Sequence, residues 1–249
     1  DYPGYYSAKY PEFDIQLGLP FSWLSVNEYV DAYKNWGLYD AFQKIYETEH
    51  NVHLMPITLD MHYGIHATFP ITTLASLQGK KLRALGIYGE LAKKEGASPT
   101  VVNAGELYQA MKLGTVDGAI YAASGLTDLK LSEVDNSYMN SPNLNVLGGS
   151  AIMNLDKWKS LPQDFRDKYD ALGFSYMIRA STELGIQQDL YTADAAKKGV
   201  KIVTWSDADK AKIIADGIAL WDTVAAKNQR CAELVDMVKK QMRALGRIP

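Results

Sequence analysis

The chain has 249 residues, of which 47% are hydrophobic and 22% are charged, and its formal net charge is −3. These values suffice for one or two globular domains and exclude a disordered, collagenous or disulfide-stapled chain. Lysine and arginine are spread among acidic residues rather than gathered into a basic stripe, so we predict no nucleic-acid partner. The single cysteine, Cys231, allows no intrachain disulfide and lies in a helical pattern, where we predict a small core residue.

Membrane and targeting segments are not evident in the sequence. No run reaches the 18 or more apolar residues that a membrane-spanning helix needs. The chain opens with Asp1 rather than Met and carries no signal-peptide pattern. We therefore expect a mature or truncated product whose targeting segment is absent from this sequence.

The first half of the chain predicts short alternating elements. A start rich in Tyr, Pro and Gly predicts a loop leading into a short strand over Phe13–Leu17, and near-helical spacing predicts one helix over residues 26–42. The next segments predict a strand over 52–57, a helical turn after Pro70 and a strand ending at Gly86. A helix with Gly96 as its C-cap follows, and then a strand over 99–103. The last elements of this half are a helix ending near Gly114 and a strand over 118–123. Strands alternating with helices at this spacing indicate βαβ units and an α/β fold.

A long helix is the main feature of the second half. Apolar residues recur at steps of three and four from Phe165 to about Ala196 without a proline. At 1.5 Å per residue, a helix of about 30 residues spans roughly 45 Å, the width of two small domains. A strand over 200–205 follows, then a helix with Ser206 as its N-cap, and a final helix over 232–245.

Short enzyme motifs for phosphates, dinucleotides, zinc proteases or hydrolases are absent from the sequence. His62 and His66 lie four apart, a metal-binding spacing on a helix, but Gly64 between them favours an extended or turning segment. We therefore predict no metal site there, and we expect His50 and His53 to be solvated. A small α/β enzyme that uses His62 or His66 remains an alternative.

Several motifs occur in a recognisable order. Residues 70–83 read Pro-Ile-x-x-Leu-x-x-Leu-x-Gly-x-Lys-x-Arg, Gly-Ala-Ser-Pro occupies 96–99, and a Glu-x-Tyr-x-Ala segment over 106–118 ends in Val-Asp-Gly. GLPFSW near the start and NLDKWKSLP after the middle are further matches. Over nearly the whole chain, these motifs resemble the solute-binding proteins of TRAP (tripartite ATP-independent periplasmic) transporters.

The resemblance implies an α/β, two-domain periplasmic binding protein fold with a long helix spanning both domains. It implies a domain I formed by residues 1–59 and 149–187, and a domain II formed by 60–148 and 188–249, with the ligand between them. Family members begin with a further strand-helix-strand unit. We expect that unit to be missing from this chain.

The resemblance also implies the site residues. Arg83 falls where the family's arginine binds the ligand carboxylate through two hydrogen bonds, which suits a guanidinium fork; the alternative is a surface salt bridge. Tyr121 falls where a family side chain reaches the ligand, and the alternative is a core tyrosine. His62 and Tyr63 lie where relatives place a second polar contact, and either could face the ligand. The ligand-binding set is therefore Arg83, Tyr121, His62, Tyr63, Gly86, Gly148 and Gly149.

The expected ligand is a small organic carboxylate with an apolar or aromatic body. Members that hold a cation place a carboxylate just before the residue matching Tyr121, where this chain has Ile120, so we predict no metal and no cofactor. We predict a periplasmic receptor, not an enzyme, that delivers its ligand to the small and large integral membrane subunits of a TRAP transporter. A ligand-sensing domain of a signalling receptor is a further alternative.

Aromatic residues elsewhere are predicted to serve packing. Trp205 and Trp221 are predicted to be core residues. In the first domain, we expect most aromatics to be core and one or two to line the cleft. These first-domain aromatics are Tyr5, Tyr6, Trp23, Tyr33 and Trp36.

Overall fold

The computed structural model describes residues 3–55, 59–60 and 62–249, with backbone alone at 59, 60 and 148. The helices are α1 (Phe13–Leu17), α2 (Val26–Asn35), α3 (Leu38–His50), α4 (Gly86–Lys94), α5 (Leu107–Lys112), α6 (Gly125–Asp128), α7 (Leu155–Ser160), α8 (Gln163–Lys197), α9 (Asp207–Ala225) and α10 (Gln229–Ala244). The strands are β1 (Val52–Met55), β2 (Leu59–Asp60), β3 (Tyr63–Ala67), β4 (Lys81–Arg83), β5 (Ser98–Thr100), β6 (Gly118–Ala122), β7 (Ser137–Ser141), β8 (Leu147–Gly148), β9 (Ala151–Asn154) and β10 (Lys201–Thr204).

The main sheet has six strands in the order β10-β7-β3-β6-β4-β5. Strands β4, β5 and β6 run parallel, with α4 and α5 as the connections between them, which confirms the predicted βαβ units. Strand β3 is antiparallel to both of its neighbours, and β10 is parallel to β7. The carboxyl ends of β4 and β5 therefore lie side by side, which is where ligand sites form in open α/β sheets.

Two smaller antiparallel pairs lie outside the main sheet. Strand β1 pairs with β9, and β2 pairs with β8. The predicted strand over 52–57 is confirmed for Val52–Met55, while its last two positions lie outside the described residues.

The predicted long helix is confirmed as α8. Its 35 residues correspond to about 52 Å at 1.5 Å per residue. It contacts α2 and β2 as well as α6 and β10, so it touches the β2–β8 pair and the main sheet. None of the helices in the described ranges is both long and apolar enough to cross a membrane.

The C-terminal helices complete the core. Helix α9 packs on α4 and α10, and α10 in turn contacts α1, α2 and α3. The Ser206 hydroxyl accepts a hydrogen bond from the Asp209 N–H, so the predicted N-cap is confirmed. Trp205, Trp221 and Cys231 are buried, as predicted.

The predicted strand at Phe13–Leu17 was wrong, because this segment is helix α1. Its alternating apolar and polar residues resembled a half-exposed strand, yet all five residues are buried. The polar members have partners inside the protein: Asp14 accepts from the Ile87 N–H, and Gln16 donates to Ser150 Oγ. The polar positions of the pattern therefore mark buried hydrogen bonds and not a solvent-facing side.

Two further predictions need correction. The single helix predicted over 26–42 is divided into α2 and α3 at Gly37, whose φ of 85° is left-handed and ends α-helical geometry. The expectation that His53 is solvated was wrong, because its ring is buried and stacks on Trp158 with centroids 3.9 Å apart. His50 is half-buried beside the Tyr10 ring, so it is not fully solvated either.

Candidate functional site

Arg83 is the last residue of β4, and its side chain is enclosed by the protein at 1% exposure. Its Nε donates to the Val102 carbonyl at 3.1 Å, and its Nη1 donates to the Ile120 carbonyl at 3.2 Å. These acceptors follow β5 and lie in β6, the two strands that flank β4. These two backbone carbonyls therefore fix the plane of the guanidinium.

Tyr121 contributes an aromatic face to the same place. Arg83 pairs in register with Ala119 of β6, and residues two apart on a strand share a face, so Tyr121 lies on the face of Arg83. The Arg83 Cζ atom lies 5.3 Å from the centroid of the Tyr121 ring, within the range of a cation–π contact.

The Tyr63 ring also lies near Tyr121, although Tyr63 pairs in register with Ala122 and its side chain therefore leaves β3 on the other face of the sheet. Its ring centroid is 6.4 Å from that of Tyr121 and 5.6 Å from that of Tyr88. Its backbone N–H donates to Asn143 Oδ1 at 2.9 Å, which holds the start of β3 in place. Arg83, Tyr121 and Tyr63 are thus brought together at one end of the main sheet.

Tyr5, from the start of the chain, reaches the same arginine. Its hydroxyl lies 3.4 Å from Arg83 Nη2 and 3.4 Å from the backbone nitrogen of Ala104. Tyr5 was predicted only as one of several first-domain aromatics, and this contact with Arg83 was not predicted. No local pattern could have indicated it, because the partners are 78 and 99 residues away.

Gly86 begins α4 next to this cluster, and its φ is +51°. A Cβ atom there would lie 2.0 Å from Asp14 Oδ1. That oxygen accepts from the Ile87 N–H at 3.1 Å, while Oδ2 pairs with Lys227 Nζ at 3.2 Å. Only glycine leaves room for the buried Asp14 carboxylate, which satisfies a backbone donor of the first turn of α4.

An open cavity of about 390 Å³ lies between the first residues of the chain, α4 and α9. Tyr5 and Gly86 line it together with Val101, and the charged residues of its described lining are Asp14, Glu90 and Lys227. This volume lies within the range of small-ligand pockets.

His62 is directed elsewhere. Its Nε2 lies 3.1 Å from Asp189 Oδ1 on α8, and its side chain is 35% exposed. Its backbone N–H donates to Gln188 Oε1 on the same helix. Of the two adjacent candidates, Tyr63 is therefore the one whose ring lies near Tyr121.

Gly148 and Gly149 lie at the second small strand pair rather than at the end of β4. Gly148 pairs in register with Leu59, and the neighbouring Ser150 accepts a hydrogen bond from Gln16. Gly149 lines a narrow space there with aromatic residues of α2 and α3.

A buried histidine–carboxylate pair was not predicted. His66 Nδ1 lies 2.7 Å from Asp135 Oδ2, and Nε2 lies 3.1 Å from the Ala122 carbonyl, with both side chains of the pair fully buried. Burial raises the pKa of Asp135, and the charge and hydrogen bond of His66 oppose that effect. Both ring nitrogens are engaged, and no cluster of three metal-binding side chains occurs within the described ranges.

Comparison with known proteins identifies the family and the fold. The sequence profile of bacterial extracellular solute-binding protein family 7 matches residues 2–228. A monocarboxylate 2-oxoacid-binding periplasmic protein from Nostoc sp. is 24% identical over 213 residues, which make up 81% of this chain and 56% of that protein. A second relative, from Albidiferax ferrireducens, matches over 52% of its own length, so the chain spans about half the length of these curated relatives.

Solved structures show the same fold. A TRAP periplasmic solute binding protein from Rhodoferax ferrireducens with bound malonate aligns with a TM-score of 0.86 at 21% identity, covering 100% of this chain and 79% of the other. Another TRAP periplasmic solute binding protein, from Desulfovibrio salexigens with bound orotic acid, aligns with a TM-score of 0.87 at 18% identity, covering 98% of this chain and 78% of the other. The fold is that of two-domain periplasmic binding proteins, with α8 as the long helix, and the family comprises receptors and not enzymes. The chain belongs to bacterial extracellular solute-binding protein family 7, the family of TRAP transporter solute-binding proteins.

Proposed function

We propose that this chain captures a small monocarboxylate with an apolar or aromatic body in the periplasm and delivers it to the membrane subunits of a TRAP transporter. The observation that carries the proposal is the buried Arg83 guanidinium, held by two backbone carbonyls beside the Tyr121 ring. An arginine fork matches a carboxylate, and the adjacent aromatic face suits an apolar body.

The relatives support a carboxylate as the ligand class. The Nostoc relative is named for monocarboxylate 2-oxoacids, and the two solved structures hold malonate and orotic acid. Orotic acid has a flat ring beside its carboxylate, the shape that Tyr121 and Tyr63 would accommodate. Tyr63 is the second contact in this proposal, and Gly86 supplies space at the entrance.

The proposed cleft lies between two units of the fold. All six strands of the main sheet fall in residues 60–148 and 188–249, the proposed domain II, while β1 and β9 fall in residues 1–59 and 149–187, the proposed domain I. The Tyr5–Arg83 and Asp14–Ile87 contacts cross between these units. Helix α10 also contacts α1–α3, so the C-terminal helix would couple the two domains during closure. In this scheme, Gly148 and Gly149 lie where the chain returns to domain I.

The proposal is tested with a thermal-shift series on the full mature protein. Benzoate, phenylacetate, pyruvate and malonate are each compared with the matching neutral amide. A ligand of the native state raises the midpoint by mass action, with about 2.7 kcal/mol of stabilisation at a hundredfold excess over Kd. We expect a monocarboxylate, and not its amide, to raise the midpoint.

Arg83→Lys is the matched variant, because it keeps the charge and removes the fork. Each charge-assisted hydrogen bond contributes about 1.5–3 kcal/mol, so we expect affinity to fall at least about 100-fold. Arg179→Ala, which removes an exposed arginine of α8, serves as the control and should bind normally. If a neutral compound stabilises the wild type and Arg83→Lys equally, the proposed site is wrong.

A further inference from the structure

Helix α8 has an exposed apolar stripe in addition to its buried side. We propose that this stripe, the α8 stripe, is the interface of a homodimer in which α8 packs antiparallel against α8 of a second copy about a two-fold axis. The inference goes beyond the proposed function and does not depend on it, because the stripe does not include the Arg83 cluster. Its members recur at alternating steps of four and three residues, and they are Leu172, Tyr176, Arg179, Glu183, Ile186 and Leu190.

The α8 stripe faces directly away from the rest of the protein. Successive residues of an α-helix are about 100° apart, so the six members lie within roughly 40° of one direction. Five buried residues of the same stretch lie within roughly 40° of the opposite direction, and they are Phe174, Met177, Ser181, Gly185 and Gln188. The body of the protein therefore covers one side of α8 and leaves the stripe accessible over a length of about 27 Å.

The apolar members of the α8 stripe are exposed to solvent. Leu172 is 64% exposed, Tyr176 60%, Ile186 58% and Leu190 63%. Toward the start of α8 the stripe continues into an open groove of about 460 Å³, which Phe165 lines together with Leu172 and Tyr176. Single exposed apolar residues are ordinary on a monomer, whereas a contiguous apolar row marks an interaction site.

The spacing of the α8 stripe is that of a coiled coil. Alternating steps of four and three average 3.5 residues, the repeat with which two helices pack side chains along a shared seam. Its two charged members, Arg179 and Glu183, stand at the middle and are both exposed. A polar layer within such a seam fixes the register and the orientation of the two helices.

The order of the residues determines which orientation is complementary. In an antiparallel pair about a two-fold axis, residues whose numbers have the same sum lie opposite each other, and every contact occurs twice. With the axis at the level of residue 181, the opposed pairs are Leu172 with the partner's Leu190, Tyr176 with the partner's Ile186 and Arg179 with the partner's Glu183. Apolar side chains then face apolar side chains, and the one cation faces the one anion. A parallel pair would instead place Arg179 against the partner's Arg179 and Glu183 against the partner's Glu183.

The ion pair within each helix is compatible with this arrangement. Arg179 Nε lies 3.1 Å from Glu183 Oε1 of the same helix. A guanidinium has five N–H donors and a carboxylate has about four acceptor sites, so both groups can also contact the partner's charges. The two helices would then share four alternating charges at the centre of the seam.

The first test uses the two central charges. The mass of the full mature protein is measured by sedimentation equilibrium over a range of concentrations, for the wild type, Glu183→Arg and the double variant Arg179→Glu/Glu183→Arg. Glu183→Arg places cations opposite each other in both central layers, and such like-charge contacts are unfavourable. We expect a dimeric wild type, a rise of at least about tenfold in the dimer Kd of Glu183→Arg, and recovery in the double variant, where each layer again joins a cation to an anion.

The second test uses the apolar ends of the α8 stripe and verifies the orientation. Leu172→Asp and Leu190→Lys should each weaken the homodimer, while an equal mixture of the two should form a heterodimer, because only the antiparallel pair brings the two new charges together. Leu113→Asp is the matched control, since Leu113 is 77% exposed and lies outside α8, and it should dimerise as the wild type does. Circular dichroism verifies that every variant is folded.

Three results would overturn the inference. A wild type that stays monomeric at every concentration would show that no second copy covers the α8 stripe. A dimer that is unaffected by Leu172→Asp and Glu183→Arg would show that the interface lies elsewhere. A dimer that these variants weaken, but that neither the double variant nor the mixture restores, would refute the antiparallel pairing.

Discussion

The His66–Asp135 pair and Arg83 are two buried ionisable groups at the main sheet, and they differ in the residues that surround them. His66 and Asp135 are fully enclosed, and both nitrogens of the imidazole are engaged by Asp135 and by the carbonyl of Ala122. Arg83 is equally buried, but one of its nitrogens meets a half-exposed tyrosine from the start of the chain. The first group is surrounded by the sheet and the loop beside it, whereas the second contacts a tyrosine that itself lines a cavity.

The comparison separates stability from binding. A buried polar pair whose hydrogen bonds are made inside one unit favours a single packing of the core. Removal of one partner leaves the other buried without its hydrogen bond, which destabilises the fold. Arg83, in contrast, contacts a residue from another part of the chain and stands where the family resemblance implies a ligand carboxylate. Variants of the first region should therefore change folding, and variants of Arg83 should change binding.

His66→Ala should cause the largest loss of stability, lowering the free energy of unfolding by about 3–5 kcal/mol, because it leaves the Asp135 carboxyl buried without its partner. Urea-induced unfolding followed by circular dichroism measures the loss. His62→Ala is the control, since its partner Asp189 is exposed and surface pairs contribute about 0–1 kcal/mol. Equal losses in the two variants would contradict the difference drawn between the pairs.

Gly86→Ala should lower the free energy of unfolding by about 2–3 kcal/mol. The new Cβ would stand 2.0 Å from Asp14 Oδ1, so Asp14 must move away from the Ile87 N–H and the left-handed backbone is strained as well. Gly79→Ala isolates the strain, because Gly79 has a φ of +74° and a methyl group there would have no other atom within 4 Å. We expect Gly79→Ala to lower the free energy of unfolding by about 1 kcal/mol, measured by thermal or urea unfolding. A loss of similar size in both variants would show that the clash with Asp14 contributes little.

Asp135→Asn should have the smallest effect, within about 1 kcal/mol at neutral pH, because an amide can donate to the imidazole where the carboxyl stood. Burial raises the pKa of Asp135 in the folded protein. The folded state therefore holds this proton more tightly than the unfolded chain, and the stability it contributes declines as pH rises above the ordinary aspartate value near 4. Asp135→Asn lacks that decline, so its free energy of unfolding relative to that of the wild type should improve as the pH rises from about 4 toward neutrality. A difference that stays constant across this range in urea titrations would contradict the assigned titration.

The sequence predicted much of the fold because its patterns are local. The long helix follows from three- and four-residue spacing over α8, and the βαβ units follow from short apolar runs separated by helical segments. The prediction failed at Phe13–Leu17, where polar residues at alternate positions are buried. Two of their hydrogen-bond partners, Ile87 and Ser150, are 73 and 134 residues away, and no sequence periodicity indicates contacts over such separations.

The site was determined in part by the same local information. The motif ending at Arg83 indicated the arginine, and the resemblance indicated Tyr121; both remain predictions. The resemblance also indicated the family, and the profile over residues 2–228 confirms the family. Only the tertiary structure places Tyr63 rather than His62 beside Tyr121, brings Tyr5 to Nη2, and closes His66 on Asp135. Sequence patterns record which residues are buried and at what spacing, whereas the partner of a buried polar atom depends on how distant segments pack. That partner determines whether a buried charge stabilises the fold or remains available to a ligand.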